Sequence, residues 1–306
     1  MARPAVESRI GGACAELIVD FASEADDDSL RRLLRETPMP GPIQISLERE
    51  PSYFGSARAE GGRCYVVCAR DPETGRVVGM GSRVVRELFI NGEPQRVGYL
   101  SQLRLEPGYR HWSRKLLRRG FSLLRNTRAQ DEAPFDITTI VSGNAAARRM
   151  LESGQPGFPR YTPVERILTM AIAAGREKPL FSLASPTACH CQFQTVEPLP
   201  PVWDQRVFKQ TVVRGYSPWL RRCRWLLRLP PVGTVLPIAY VTRFPLEVDT
   251  DCRWLVFGLA ARNPVVDAVL KLCRPRVYES TLYVVHEPRT TLNLDGRLAH
   301  LEVALL

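Results

Sequence analysis

The stretch LSQLRLEPGYRHWSRKLLRRG, Leu100 to Gly120, decides how this chain is read. Its first half continues a strand-like run from Gln95 that stops at Pro107 and Gly108. In its second half Leu116 and Leu117, with Phe121 and Leu124 just beyond, fall at helical spacing and predict one apolar face. Ser113 is placed to cap that helix. Between the two halves Arg110, Arg114, Lys115, Arg118 and Arg119 crowd the turn and the first helical residues. A strand that feeds a cationic helix start has three readings: a cradle for a cofactor phosphate, a docking face for an acidic partner, or a solvated basic helix.

Outward from this stretch the elements alternate. AELIVDF (Ala15–Phe21) reads as a strand, and DDDSLRRLLRE (Asp26–Glu36) as a helix with acids first and arginines later. RCYVVCAR (Arg63–Arg70) and RVVGMGSRVVRELFI (Arg76–Ile90) are strands, and Asn91-Gly92 is a strong hairpin signal before the return strand. FDITTIVSGNAAARRMLESG (Phe135–Gly154) is a strand that runs into an Asn144-capped helix, and Arg166–Ile172 is the next strand. Residues 175–201 are loop-like and rich in proline and serine, so a domain boundary is expected there, with one domain over 1–178 and another over 179–306. Beyond it the pattern partly repeats: Cys252–Leu272 is again a strand entering a helix behind an Asn, with Pro264 at the favoured first position, and STLYVVHE follows.

The chain has 306 residues, 44% of them hydrophobic, which is enough for one large or two smaller globular domains. A net charge of +10 favours anionic partners without choosing among nucleotide phosphates, nucleic acid, acidic proteins and anionic lipid. No run approaches the ~20 apolar residues of a membrane helix, and the N-terminus has no signal-peptide pattern, so a cytoplasmic protein is expected. The eight cysteines lack a disulfide rhythm.

The order of elements up to residue 172, with LSQLRLEPGYRHWSRKLL at its centre, resembles the GNAT superfamily of acetyl-CoA-dependent N-acetyltransferases. The resemblance implies a mixed, mostly antiparallel α/β sheet flanked by helices, followed by a smaller degenerate copy. It implies that the backbone of Leu103, Arg104 and Leu105 pairs with the pantetheine arm of the cosubstrate. It also implies that Arg110, His111, Trp112, Ser113, Arg114 and Lys115 meet the pyrophosphate, and that Asn144 opens the next helix beside it. Where the family pattern is Arg/Gln-x-x-Gly-x-Gly/Ala, this chain has Arg110-x-x-Ser113-x-Lys115. Where the family often has a Tyr general acid, seven residues after the helix-opening Asn, it has Leu151.

The implied activity is acyl transfer from acetyl-CoA, or another acyl-CoA, to a small-molecule or peptide amine by direct attack. Glu87, on the long third strand, is a candidate base or a solvent-facing glutamate. Tyr161 is a candidate replacement for the missing acid or a packed loop aromatic. The altered loop also fits a donor carried on an acidic acyl carrier protein, and a non-catalytic binding or scaffold protein is the other class.

Three further features belong to other chemistries. Cys189-His190-Cys191 has no second pair, so no metal is expected. No helix-turn-helix, zinc finger or RNA-recognition signature is present, which argues against nucleic acid. SPWLRRCRWLLRLPP (Ser217–Pro231) is a short basic helix whose Trp219, Trp225 and Leu226 either enter a lipid interface or pack on the domain; packing is the expectation.

Overall fold

A computed structural model describes residues 16–177, 191–243 and 250–306. The first half runs β1 (Ile18–Phe21), α1 (Asp27–Glu36), β2 (Ile43–Glu48), α2 (Tyr53–Ala59), β3 (Arg63–Arg70), β4 (Val77–Ile90), β5 (Glu93–Leu105), α3 (Ser113–Arg125), β6 (Glu132–Val141), α4 (Ala145–Leu151) and β7 (Arg160–Ala173). The second half runs β8 (Val202–Asp204), β9 (Gln210–Tyr216), α5 (Pro218–Cys223), β10 (Ile238–Val241), β11 (Trp254–Ala260), α6 (Val266–Cys273) and β12 (Arg276–His286). The β4–β5 hairpin turns at Asn91 and Gly92, both at positive φ (54° and 89°), as the Asn-Gly signal requires. α1 buries Leu30, Leu33 and Leu34, the apolar stripe of its period, against Tyr53, Val66 and Met80.

The strands form one ten-stranded sheet in the order β1-β3-β4-β5-β6-β12-β7-β11-β10-β8, and β2 pairs with β9 in a separate ribbon. Most neighbours are antiparallel; β5 with β6 and β10 with β11 are the parallel pairs. In each half a parallel pair leads through a helix to a long strand: β5, β6, α4, β7 and then β10, β11, α6, β12. The two long strands change places. β12 lies between β6 and β7, and β7 lies between β12 and β11. Ile137, Ile167, Leu282 and Val284, from three of these strands, share one buried cluster. The strands on either side of the expected boundary near 178 are thus hydrogen-bonded into one sheet.

At the closed end of β5, Arg83 on β4 is fully buried. Its guanidinium meets Glu132 (2.5 Å) and Asp136 (2.9 Å), both on β6. To get there it passes Gly98 on β5, where a methyl group would overlap both Arg83 Nε and Asp136 Oδ1.

One expectation fails clearly. Trp219, Trp225 and Leu226 are 65%, 79% and 66% exposed, so they project from the surface instead of packing on it. The helix there stops at Cys223, and the turn after it carries the remaining apolar residues outward.

A fragment of residues 1–178 lacks β12 and leaves β6 and β7 as unpaired edges beside an uncovered apolar cluster. It is expected to show no cooperative thermal unfolding by circular dichroism, while the whole chain does; a cooperative melt of the fragment would contradict this.

Candidate functional site

β5 and β6 pair at Arg96 with Glu132, Gly98 with Asp136 and Tyr99 with Ile137, and the ladder ends there. Past that point two side chains bridge the strands: Thr138 Oγ1 donates to the Leu100 carbonyl (2.7 Å), and the Tyr99 and Thr139 hydroxyls meet at 2.6 Å. Burial raises the Tyr99 phenol to about 12. From Ser101 to Leu105 the β6-facing edge of β5 carries no ladder partner among the described residues; the Leu103 carbonyl accepts from Arg104 Nη1 (2.9 Å), and an extended ligand could pair with the rest of this edge.

The same segment is bulged. Gln102 and Leu103 together oppose Gly81, and Gln102 sits at φ 55°, a left-handed conformation rare outside glycine. Its side chain is held from below. With its amide turned to suit its neighbours, its oxygen accepts from Arg49 Nη2 (2.8 Å) and Nε (2.6 Å), and its nitrogen meets the Tyr53 hydroxyl. The bulge directs Leu105 toward α3, where it packs with Leu116 and Trp112, and leaves Arg104 on the opposite face near Tyr53.

Asn144 caps α4 as the sequence predicts, its Oδ1 accepting from the Ala147 N–H at 3.2 Å. A parted β5–β6 pair, a bulge on β5 and an Asn-capped helix after β6 fit the fold that the sequence resemblance implies. The fold is GNAT-like.

No protein-family model matches the chain, and no curated protein does. Among solved structures it is similar to N-myristoyltransferase of Saccharomyces cerevisiae with bound myristoyl-CoA (12% identity, 97% of this chain and 92% of that one, TM-score 0.49). It is also similar to a GCN5-related N-acetyltransferase of Sphaerobacter thermophilus (12% identity, 91% of this chain and 98% of that one, TM-score 0.45). An acetyltransferase of Trypanosoma brucei covers 45% of this chain and 90% of its own at 20% identity and TM-score 0.32. At these identities and scores the likenesses say nothing about the reaction.

The GNAT-like loop takes an unexpected form. Pro107–Trp112 is a 3-10 helix that runs straight into α3. Tyr109 N–H bonds the Glu106 carbonyl (3.0 Å) and Ser113 N–H the Arg110 carbonyl, so these amides are already used. Tyr109 pins the turn through its hydroxyl on Asp71 (2.6 Å). Ser113 is the first residue of α3, preceded by Trp112, and its side chain caps nothing. The reason is local: with Pro107 at the first position and no glycine after Gly108, the segment follows helical geometry early.

The cations divide by helical face. Lys115 (2.8 Å) and Arg119 (2.6 Å) both pair with Glu16, next to β1, and Lys115 lies 5.3 Å from the centre of the Trp112 ring. Arg110 and Arg114 are exposed, with no ion-pair partner among the described residues, and His111 is exposed beside them. One turn further on, Arg118 donates to the Pro156 carbonyl (3.2 Å) between α4 and β7. Arg118, one turn beyond Arg114, thus reaches the connection between α4 and β7.

Tyr161 lies on β7, where it pairs with Val285 of β12; its ring packs with Phe121 of α3 and Tyr283, in clusters that also hold Leu100 of β5 and Ile140 of β6. Burial, with a smaller contribution from Asp136, raises its phenol well above the ordinary tyrosine value, so it stays protonated at neutral pH.

Glu87 is not brought to the site. It is exposed and opposite Arg96, at the closed end of β5. Six residues separate Arg96 from Gln102, about 20 Å of strand.

Sequence reasoning missed the charged group under the bulge. Glu60 is buried between Arg49 (2.6 Å) and Lys209 (2.9 Å), and Arg86 donates to its backbone carbonyl (2.7 Å). Lys209 reaches it from the chain entering β9, which the β2–β9 pairing holds in place. A glutamate and a lysine about 150 residues apart gave no pattern to find. Cys189 and His190 lie outside the described residues. The one group of metal-type donors among those described, Asp204, Asp251 and Cys252, has Arg206 across both carboxylates (2.6 and 2.7 Å).

Burial pushes the Glu60 carboxyl up, but Lys209 and Arg49 outweigh it and hold it below the ordinary carboxylate value. Such a group adds stability above its unfolded value of about 4.3, and the gain is lost as pH falls through its lower folded value. Glu60→Gln is therefore expected to be less stable than wild type by about 3 kcal/mol at neutral pH. In urea unfolding it should also lose less further stability as pH drops below about 4.

Proposed function

We propose that this protein transfers an acyl group from an acyl-CoA, most simply acetyl-CoA, to an amine by direct attack in a ternary complex. The observation that carries this reading is the parting of β5 from β6 after Tyr99 and Ile137, beside unpaired Arg110 and Arg114. An extended pantetheine arm has amide groups to pair with the open edge at Leu103–Leu105, as a further strand would. The two arginines, with His111 and Trp112, supply charge and stacking surface for the nucleotide end.

In the transfer the amine nitrogen bonds to the thioester carbon, the carbon–sulfur bond breaks, and the Tyr161 hydroxyl donates a hydrogen bond to the leaving thiolate, which takes up its proton from solvent. The amine loses its proton to solvent. Ser113 and Lys115 contribute less than the sequence pattern implies, because the 3-10 turn uses the local amides and Glu16 holds the lysine. The reading takes residues 1–178 as the half that carries the site and 179–306 as its degenerate counterpart, supported by the repeat of parallel pair, helix and long strand.

The closed turn favours a second donor of the same chemistry, an acyl group on an acidic carrier protein. The carrier's surface would then meet Arg110 and Arg114, and binding would fall steeply with salt.

Titration calorimetry with acetyl-CoA, with adenosine 3′,5′-bisphosphate as competitor, tests the reading. Arg110→Ala and Arg114→Ala are each expected to weaken binding by about tenfold, the usual effect of one charge-assisted contact. Absence of binding to acetyl-CoA, to longer acyl-CoAs and to acylated carrier protein would leave a scaffold role for the fold. Tyr161→Phe is expected to lower thiol release by more than about tenfold with donor affinity and melting temperature unchanged; an unaltered rate would remove Tyr161 from the reaction.

A further inference from the structure

The chain between Ser217 and Pro231 is unlike the rest of the surface. It leaves β9, forms α5, turns at Arg228 (φ 50°) and returns. Its base is fixed where Ser217 N–H bonds the Pro42 carbonyl (2.8 Å) and the Tyr216 hydroxyl bonds that of Pro230 (2.6 Å). From this fixed base Trp219, Trp225 and Leu226 project, each about two-thirds exposed or more, with Leu227 and Val232 exposed beside them. A cluster of this kind is costly in water and marks a contact surface.

The flanking charge says what kind. Arg221, Arg222, Arg224 and Arg228 make no ion pair and no side-chain hydrogen bond among the described residues. No Asp or Glu occurs in the sequence between Asp204 and Glu247, so the loop itself offers nothing to neutralise them. Indole and leucine side chains that project, ringed by unpaired guanidinium groups, fit a layered partner that is apolar beneath and anionic on top. A nucleic acid would use the arginines but give the leucines no apolar contact. A protein partner would have to supply both an apolar socket and an acidic rim.

We propose that the Ser217–Pro231 loop docks this protein on an anionic lipid surface. Trp219, Trp225 and Leu226 enter the boundary between headgroups and acyl chains, and the arginines hold the headgroup phosphates. No helix among the described residues is long and apolar enough to cross a membrane, so the contact is peripheral. The proposal is independent of the acyl-transfer reading, because the loop contributes none of the residues assigned to that site.

The test is flotation of the whole chain with phosphatidylcholine vesicles and with vesicles of equal parts phosphatidylcholine and phosphatidylglycerol. Binding is expected to the mixed vesicles alone and to fall as salt rises. The double variant Trp225→Ser, Leu226→Ser is expected to lower it more than about tenfold. Replacing the four arginines with glutamine is expected to lower it further, since each basic residue near an anionic surface is worth about fivefold. Melting temperature and acyl-CoA affinity should not change in either variant. Failure to float with the mixed vesicles at low salt would overturn the proposal, as would undiminished flotation of the double variant. A concentration-dependent dimer in light scattering, abolished by that variant, would reassign the loop to a protein interface, and tighter retention by an oligonucleotide than by the vesicles would reassign it to nucleic acid.

Discussion

The parting of the central strands depends on the clamp that precedes it. Arg83 crosses Gly98 to reach Glu132 and Asp136, so one guanidinium ties β4 to β6 across the strand between them. Asp136 is shared further with Arg128 at 2.7 Å. Buried charges of this sort contribute little net stability, but removing one partner leaves the others unpaired and is strongly destabilising. Their effect here is geometric. Register is fixed up to Tyr99 and Ile137, and the separation of β5 from β6 begins at a defined residue.

Strand exchange supplies the second constraint. With β12 between β6 and β7, the far wall of the opening belongs to a strand whose other edge is held by the second half of the chain. Lys209 from that half also reaches under the bulge to Glu60, next to the Arg49 that supports Gln102. The second half thus braces the first half from the sheet and from below. The left-handed Gln102 persists because its side chain is held on both polar ends.

The electrostatics of the opening follow from how the arginines and Lys115 are divided. Glu16 takes Lys115 and Arg119 to one side of α3, while Arg110 and Arg114 have no ion-pair partner among the described residues. Tyr161 is kept neutral by the aromatic cluster around it. In the proposed acyl transfer the rim formed by Arg110 and Arg114 would meet the phosphate end of the acyl-CoA. Two cationic surfaces result, this rim and the Ser217–Pro231 loop, and they differ in what accompanies the charge: open strand edge in one, projecting indoles and leucines in the other.

Much of this was legible in the sequence because it rests on local physics. The period of α1 and α3, the Asn91-Gly92 turn and the Asn144 cap each depend on contacts within a few residues, and each is where the sequence puts it. The GNAT-like order of elements follows from those signals in series. What only the tertiary structure decided involves partners far apart in the chain, for which composition and spacing carry no sign. Glu87 lies at the closed end of its strand because the β4–β5 register sets it opposite Arg96. The 3-10 turn after Pro107 is secured by Asp71, and Lys115 is taken up by Glu16. Trp225 and Leu226 face solvent because the fixed base of their loop points them away from any core. By itself the sequence determined most of the long strands and helices of the first half, the Asn91-Gly92 turn and the Asn144 cap, but not the cap expected at Ser113. Folding decided which side chains meet, because those contacts are made through space between residues that no local periodicity connects.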